Sequence, residues 1–280
     1  MERRLEPRHL AAFQRRLLEE EREAATIEKY LREVGAFAAW ARSEPVTKEL
    51  VCRWKERLAT SGCQPATING KLAALNKFFA FLGWIDCQVK YLKVQRRMFR
   101  SSGRELSRKD YTCLVETARE LGRERLALLI ETICATGIRV SEVRYITVEA
   151  AQKGQTEIAL KGKLRTILLP GKLCRKLVKY ARKRKIASGE IFLTRSGKGL
   201  SRRQIWAEMK ALCAKAGVER SKVFPHNLRH LFARSFYRAC RDVVKLADVL
   251  GHSNIETTRI YLISTGAEHA RQLERLGLVS

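Results

Sequence analysis

Residues 93–104 read Lys-Val-Gln-Arg-Arg-Met-Phe-Arg-Ser-Ser-Gly-Arg: five basic side chains, two serines and a glycine, with no acidic partner among them. A core cannot absorb such a run, because burying unpaired charge costs far more than its few apolar side chains offset. The chain must therefore fold as two bodies joined by a solvated connector, one able to lie along a polyanion. We expect a first domain over residues 1–93, a basic linker over 94–105 and a second domain over 106–280.

The first body reads as helices. Between Thr26 and Trp40 the residues Ile27, Tyr30, Leu31, Val34, Phe37 and Ala38 recur at helical spacing, until Pro45 interrupts the pattern. A second helix is expected over about 48–59, stopping before Ser61-Gly62. A third follows Pro65, with Ile68, Leu72, Leu75, Phe78 and Phe79 on one stripe. About four helices would make this a small all-α domain.

The second body is mixed. Helices are expected near 107–120 and 123–135, the latter closed at Gly137, which can take a left-handed turn. Ser141 could open a short helix. Glu157 to Lys163 and Arg165 to Leu169 look like two strands on a tight basic turn, with Ile191-Phe-Leu as a possible third strand. Ser253-Asn-Ile-Glu256 has the form of a capping box, placing a helix start after Gly251-His252. The fold class is thus mainly α with a small β-sheet.

The chain of 280 residues carries 56 Lys+Arg against 29 Asp+Glu, a formal charge of +27. An excess this large is the usual footprint of a polyanionic partner, since each neutralised phosphate releases counterions; a merely solubilising surface is the plainer alternative. Both bodies carry net positive charge, so both can face the same partner. No apolar run approaches the roughly 20 residues a bilayer needs, and the first residues lack an apolar signal region. Eight cysteines without any Cys-x-x-Cys pair argue against a zinc ribbon and read as reduced, mostly buried thiols of a cytoplasmic protein.

Chemistry concentrates in the second body: Arg139, a lysine in the hairpin turn, His226-Asn-Leu-Arg229, Gly251-His252 and Tyr261. Each has an ordinary structural reading. Arg139 and the lysine would be solvated charges, His-x-x-Arg a surface or capping pair, Gly-His a helix end, and Tyr261 a half-buried core residue. Together they form a complete set for phosphoryl transfer. Two arginines can clamp one phosphodiester with forked donors. A tyrosine hydroxyl can attack phosphorus if a neighbour takes its proton. Histidine suits that task, and a lysine can protonate the departing alkoxide. The guanidiniums supply the charge that a metal would otherwise bring, so no metal or other cofactor is expected.

The order Arg139, lysine, His226-x-x-Arg229, His252, Tyr261 resembles the tyrosine recombinases, the phage-integrase-type site-specific recombinases. The phrases that carry it are Thr136-Gly-Ile-Arg-Val-Ser-Glu142, Pro225-His-Asn-Leu-Arg-His230 and Leu250-Gly-His-Ser-Asn-Ile-Glu-Thr-Thr-Arg-Ile-Tyr261. The resemblance implies a SAM-like core-binding domain followed by a mixed α+β catalytic domain, in a compact, Xer-like arrangement. It implies that Tyr261 forms a 3′-phosphotyrosyl link, that Arg139 and Arg229 hold the phosphate, that His226 accepts a proton and that His252 donates a hydrogen bond. Glu142 would be a supporting acid and His230 a packing residue. Lys163 is the favoured lysine and Lys161 the other candidate. The implied partner is double-stranded DNA, bound by a homotetramer on two synapsed sites, with no membrane. Residues 267–280 suit a helix that packs on its own domain or docks into a neighbouring protomer. A silent DNA-binding accessory protein of the same fold is the competing reading. Thr67, Asn69 and Lys71 near the third helix could contact DNA, although for any one of them a solvated face is the plainer reading.

Overall fold

The computed structural model describes residues 2–42, 44–94, 105–160, 163–252, 254–261 and 274–275. It divides into two units, Met1–Arg97 and Met98–Ser280.

In the first unit, α1 (Pro7–Glu19), α2 (Ala24–Ala41), α3 (Lys48–Thr60) and α4 (Pro65–Phe81) match the expected four helices. Proline opens α1 and α4, where its missing N–H is no loss. The Thr47 hydroxyl caps α3 by accepting from the Leu50 N–H. α2 stops before Pro45 is reached, with Arg42 turned to φ +47°. Phe13, Phe37, Phe78 and Phe79 are fully buried and meet in edge-on pairs, such as Phe13 with Phe78 at 5.1 Å and Phe37 with Phe79 at 6.0 Å. That geometry suits the ring quadrupole better than face-to-face stacking.

Asn69 and Asn76, two turns apart on α4, grip the extended segment that follows Cys87. Asn76 Nδ2 donates to the Val89 carbonyl at 2.9 Å while its Oδ1 accepts from the Val89 N–H at 3.1 Å. Asn69 does the same with Leu92, at 2.9 and 2.8 Å. Each side-chain amide thus stands in for the backbone of a missing strand, satisfying groups that would otherwise be orphaned. On the same helix Lys71 is ion-paired with the buried Glu33.

The second unit is built round α6 (Glu124–Thr136), which buries residues on all sides, from Leu126 to Thr136, as a central helix must. α5 (Arg108–Glu120), capped by a Ser107–Asp110 box, packs against it. So do α8 (Gly171–Lys183) and α10 (Pro225–Cys240). Gly137 ends α6 at φ +64°, and a Cβ there would overlap the ring of Phe232. Next come a 3-10 turn (Val140–Tyr145), α7 (Val148–Lys153) and an antiparallel hairpin of β1 (Gln155–Leu160) and β2 (Lys163–Leu168). Its register sets Ile158 opposite Arg165 and Leu160 opposite Lys163. α9 (Arg202–Leu212), α11 (Val243–Leu250) and α12 (Ile255–Arg259) complete the unit.

Three local expectations change. Ser141 opens no α-helix; it lies inside the 3-10 turn, whose N-cap is Arg139. Ile191-Phe-Leu forms no third strand among the described residues, because only isolated bridges, Thr147 with Glu190 and Leu193 with Gly199, flank it. Of the eight free cysteines only Cys87 and Cys213 are fully buried. Ser253 lies outside the described residues, and Asn254 caps α12 by accepting from the Glu256 N–H. Nearly all of 267–280 also lies outside them.

The clamp on residues 88–92 is testable. Asn76→Ala leaves the Val89 N–H and C=O without partners, so the first unit should lose about 2 kcal/mol. A lower urea midpoint for that unit, with faster amide exchange at Val89, checks it; an unchanged midpoint would show that water replaces the side chain at no cost.

Candidate active site

Helix ends leave carbonyls without intrahelical partners, and the C-terminal end carries partial negative charge. At the end of α11 three successive carbonyls are each met by a different arginine. Val249 O accepts from Arg165 Nη2 at 2.7 Å, Leu250 O from Arg229 Nη2 at 2.8 Å, and Gly251 O from Arg139 Nη2 at 3.4 Å. The arginines arrive from β2, from α10 and from the turn after α6, so one helix terminus gathers three distant elements. Gly251 stands at φ +64°, and a Cβ there would overlap the Arg165 side chain; both facts demand glycine.

Glu142, wholly buried, is the acid of the cluster. Its Oε2 accepts from the Arg139 backbone N–H at 2.8 Å and from Arg165 Nη1 at 2.7 Å, while Oε1 takes Arg139 Nη1 at 2.9 Å. Arg139 and Arg165 therefore share this one carboxylate, whereas Arg229 is held by the Gly137 and Leu250 carbonyls and by His252. Dipoles satisfy their N–H groups without cancelling their charge, which leaves a positive site suited to an anion.

Arg229 is only 1% exposed. Nη1 donates to the Gly137 carbonyl, and Nη2 also reaches His252 Nε2 at 2.9 Å. Burial lowers its pKa, a bond with the Tyr261 hydroxyl opposes that, and the nearby arginines lower it further; a guanidinium nevertheless stays charged. Because Arg229 can only donate, His252 Nε2 must accept, and the proton resides on Nδ1, which pairs with Thr258 Oγ1 at 2.8 Å. Burial, then Arg229, Arg139, Arg165 and His226, press the His252 pKa down to about 4. The ring is neutral at physiological pH.

Tyr261 is 3% exposed and belongs to a small cluster with Ala233, Leu246 and Leu250. Its ring lies 5.7 Å from His252 in parallel, 4.4 Å from His230 edge-on and 6.1 Å from His226. His226, at the exposed start of α10, has its pKa held below the usual imidazole value, first by partial desolvation and then by Arg229 and Arg139. The structure thus gathers Arg139, His226, Arg229, His252 and Tyr261 from positions spread over more than a hundred residues. Of Lys163 only the backbone is described, as the first residue of β2; Lys161 lies outside the described residues.

Arg165 and Thr258 were not foreseen. For Arg165 a signal existed: Ile167 shares its face of β2, so the alternation set an arginine where an apolar residue belongs. Thr258 carried none.

Residues 104–268 match the profile of the phage integrase family, and residues 10–85 that of the phage integrase N-terminal SAM-like domain. A tyrosine recombinase XerD of Brucella suis biovar 1 (strain 1330) is 30% identical over 88% of this chain and 89% of its own length. A tyrosine recombinase XerA of Pyrococcus furiosus is 28% identical over 81% and 80%. Among solved structures, a lambda integrase dimer bound to a COC′ core site superposes with a TM-score of 0.75 at 16% identity, covering 92% of this chain and 95% of that one. A XerH recombinase in a post-cleavage complex with a difH substrate gives 0.68 at 20% identity, covering 90% and 79%. These two likenesses show a shared fold.

Linkage gives the site a pH signature. With the folded pKa of His252 at about 4 and its ordinary value of 6.5, the unfolded chain binds a proton between those limits that the folded chain does not. Stability is fully present above the window, falls as pH drops through it and is lost toward 4. Between pH 7 and 4.5, wild type should lose on the order of 2 kcal/mol more than His252→Gln, by urea denaturation. Parallel profiles for the two proteins would contradict a neutral, proton-excluding His252.

Proposed function

The chain belongs to the phage integrase family, and from that premise we propose that it cleaves and rejoins double-stranded DNA at specific sites through a 3′-phosphotyrosyl intermediate. The observation that carries the reading is the seating of Tyr261 against Arg229 and between the rings of His252 and His230, inside a cluster rich in guanidinium.

In this reading a phosphodiester enters beside Arg139 and Arg229 and takes the guanidinium contacts that Tyr261 and His252 now hold. The Tyr261 oxygen attacks phosphorus, forming a Tyr–O–P bond, while the P–O5′ bond breaks. His226, neutral because its pKa is depressed, accepts the tyrosine proton. Lys163 donates a proton to the leaving 5′-oxygen. Once Arg229 turns to phosphate, His252 Nε2 loses its donor. The Thr258 hydroxyl can switch from accepting to donating toward Nδ1, so Nε2 can carry the proton and bond a phosphate oxygen. The phosphotyrosyl ester keeps the energy of the broken linkage, so a 5′-hydroxyl of a second duplex reseals it without ATP. Charge stabilisation falls to the arginines, without a metal or other cofactor.

Residues 1–93 serve as the core-binding domain, 94–105 as the linker and 106–280 as the catalytic domain. A homotetramer on two synapsed sites pairs the cleavages, and the protein works in the cytoplasm. No described helix is long and apolar enough to cross a membrane.

The test is a pool of nicked duplexes with a randomised core, from which covalent adducts are isolated and sequenced. Wild type should form adducts in the presence of EDTA, and Tyr261→Phe should form none while still binding. Salt-sensitive binding without any wild-type adduct would instead favour the accessory-protein reading. Deleting residues 1–100 should weaken binding of the recovered duplex at least tenfold in a shift assay. Equal affinity would contradict a two-domain grip.

A further inference from the structure

Three arginines meet the end of α11, but they are not equivalent. The Arg139 side chain is 42% exposed, and Arg229 lies against Tyr261 and His252; either can turn a donor toward a bound anion. Arg165 cannot. Its side chain is 8% exposed, Nη1 is held by Glu142 and Nη2 by the Val249 carbonyl. Its Nε is buried with no partner among the described residues, and its methylenes pack where a Gly251 Cβ would stand.

What Arg165 touches is more telling than what it could bind. On one side it shares the carboxylate that holds both the backbone and the guanidinium of Arg139. On the other it pins the carbonyl three residues before His252. Without it, Glu142 would have Arg139 as its sole ion-pair partner among the described residues, and nothing described would tie the hairpin to the end of α11 through that carbonyl. We propose that Arg165 is a positioning residue for strand cleavage: one buried guanidinium sets the phosphate-facing geometry of Arg139 through Glu142 and that of His252 through Val249, so that β2, the turn after α6 and α11 move as one piece.

This inference rests on the recombinase reading and deepens it, and the experiment separates the two. On the nicked duplex recovered from the randomised pool, adduct formation at saturating protein is followed in time, which resolves a rate constant and an amplitude. Positioning acts on the rate, since a displacement of about 1 Å costs on the order of 100-fold; loss of folded protein acts on the amplitude. Arg165→Met should slow cleavage about 100-fold with the amplitude kept, and Arg165→Lys, which can keep one of the two contacts, should recover part of the loss. Gly251→Ala, which presses on Arg165 from the opposite side, should slow cleavage in the same direction. Because Arg165 works through Glu142, Arg165→Met added to Glu142→Gln should cost much less than the two single effects multiplied. Amide exchange without DNA gives a second readout: Gly251 and His252 should exchange at least tenfold faster in Arg165→Met, with Ile130 in the core of α6 unchanged. A reduced amplitude at wild-type rate would overturn the proposal, as would an unchanged rate or multiplicative effects with Glu142→Gln. If wild type gives no adduct, the strand-cleavage reading falls and the positioning role falls with it; a wild-type adduct with an unimpaired Arg165→Met removes the positioning role alone.

Discussion

The end of α11 holds the second unit's site together. A helix C-terminus offers carbonyls that lack partners and a partial negative charge, both within one turn. Arg139, Arg165 and Arg229 answer those carbonyls in succession, and each fixes a different stretch of chain. A carboxylate in the same place would have held one or two guanidiniums and neutralised them. Peptide dipoles hold three and leave their charge in being. Burying Arg229 this far from water is tolerable because Gly137, Leu250 and His252 take its donors. The residual field is visible in the pKa of His252, which the arginines lower together with burial.

That arrangement explains which parts of the site could be read beforehand. Arg139, His226, Arg229, His252 and Tyr261 stand in short phrases whose local spacing is set by helix ends and first turns, and a pattern in sequence captures that. Arg165 stands 23 positions from Glu142 and 84 from Val249, and the alternation of β2 marks it only as an arginine on an apolar face, without naming its partners. Its importance is a property of three-dimensional convergence. Thr258 escaped for the same reason: it is needed only because the His252 ring, six residues earlier, must have a hydrogen-bond partner on Nδ1.

The helices of the first unit were legible because hydrophobic period and capping chemistry agree there. The role of Asn69 was not. A polar residue on a helix face looks alike whether it meets solvent, DNA or a strand-like segment of its own chain, and only the reciprocal pairing with Leu92 decides. Ile191-Phe-Leu misled for the opposite reason. Ile191 and Phe192 are buried as strand residues would be, but burial supplies side-chain contacts and no edge for the backbone to pair with. The Ile191 N–H goes to Ile146 O and the Phe192 carbonyl accepts from the Leu200 N–H, scattered ties where a strand needs a continuous row.

Burial, and after it the same charges that make the site attractive to an anion, keep His252 neutral, and the two effects of those charges are coupled. While three guanidiniums surround it, protonating the ring adds like charge to a place short of acid, so the proton stays off and Nε2 is left to accept. In the strand-cleavage reading proposed above, an arriving phosphodiester would reverse both conditions: it would supply the missing negative charge and take over the Arg229 donor. The field that holds the proton off would then be cancelled by the ligand itself, and a ring that could only accept would become able to donate. Glu142 cannot do this in the ligand's absence, because its oxygens are already committed to Arg139 and Arg165. The second arginine on that carboxylate therefore keeps the site positive, and the geometry of β2 is what brings it there.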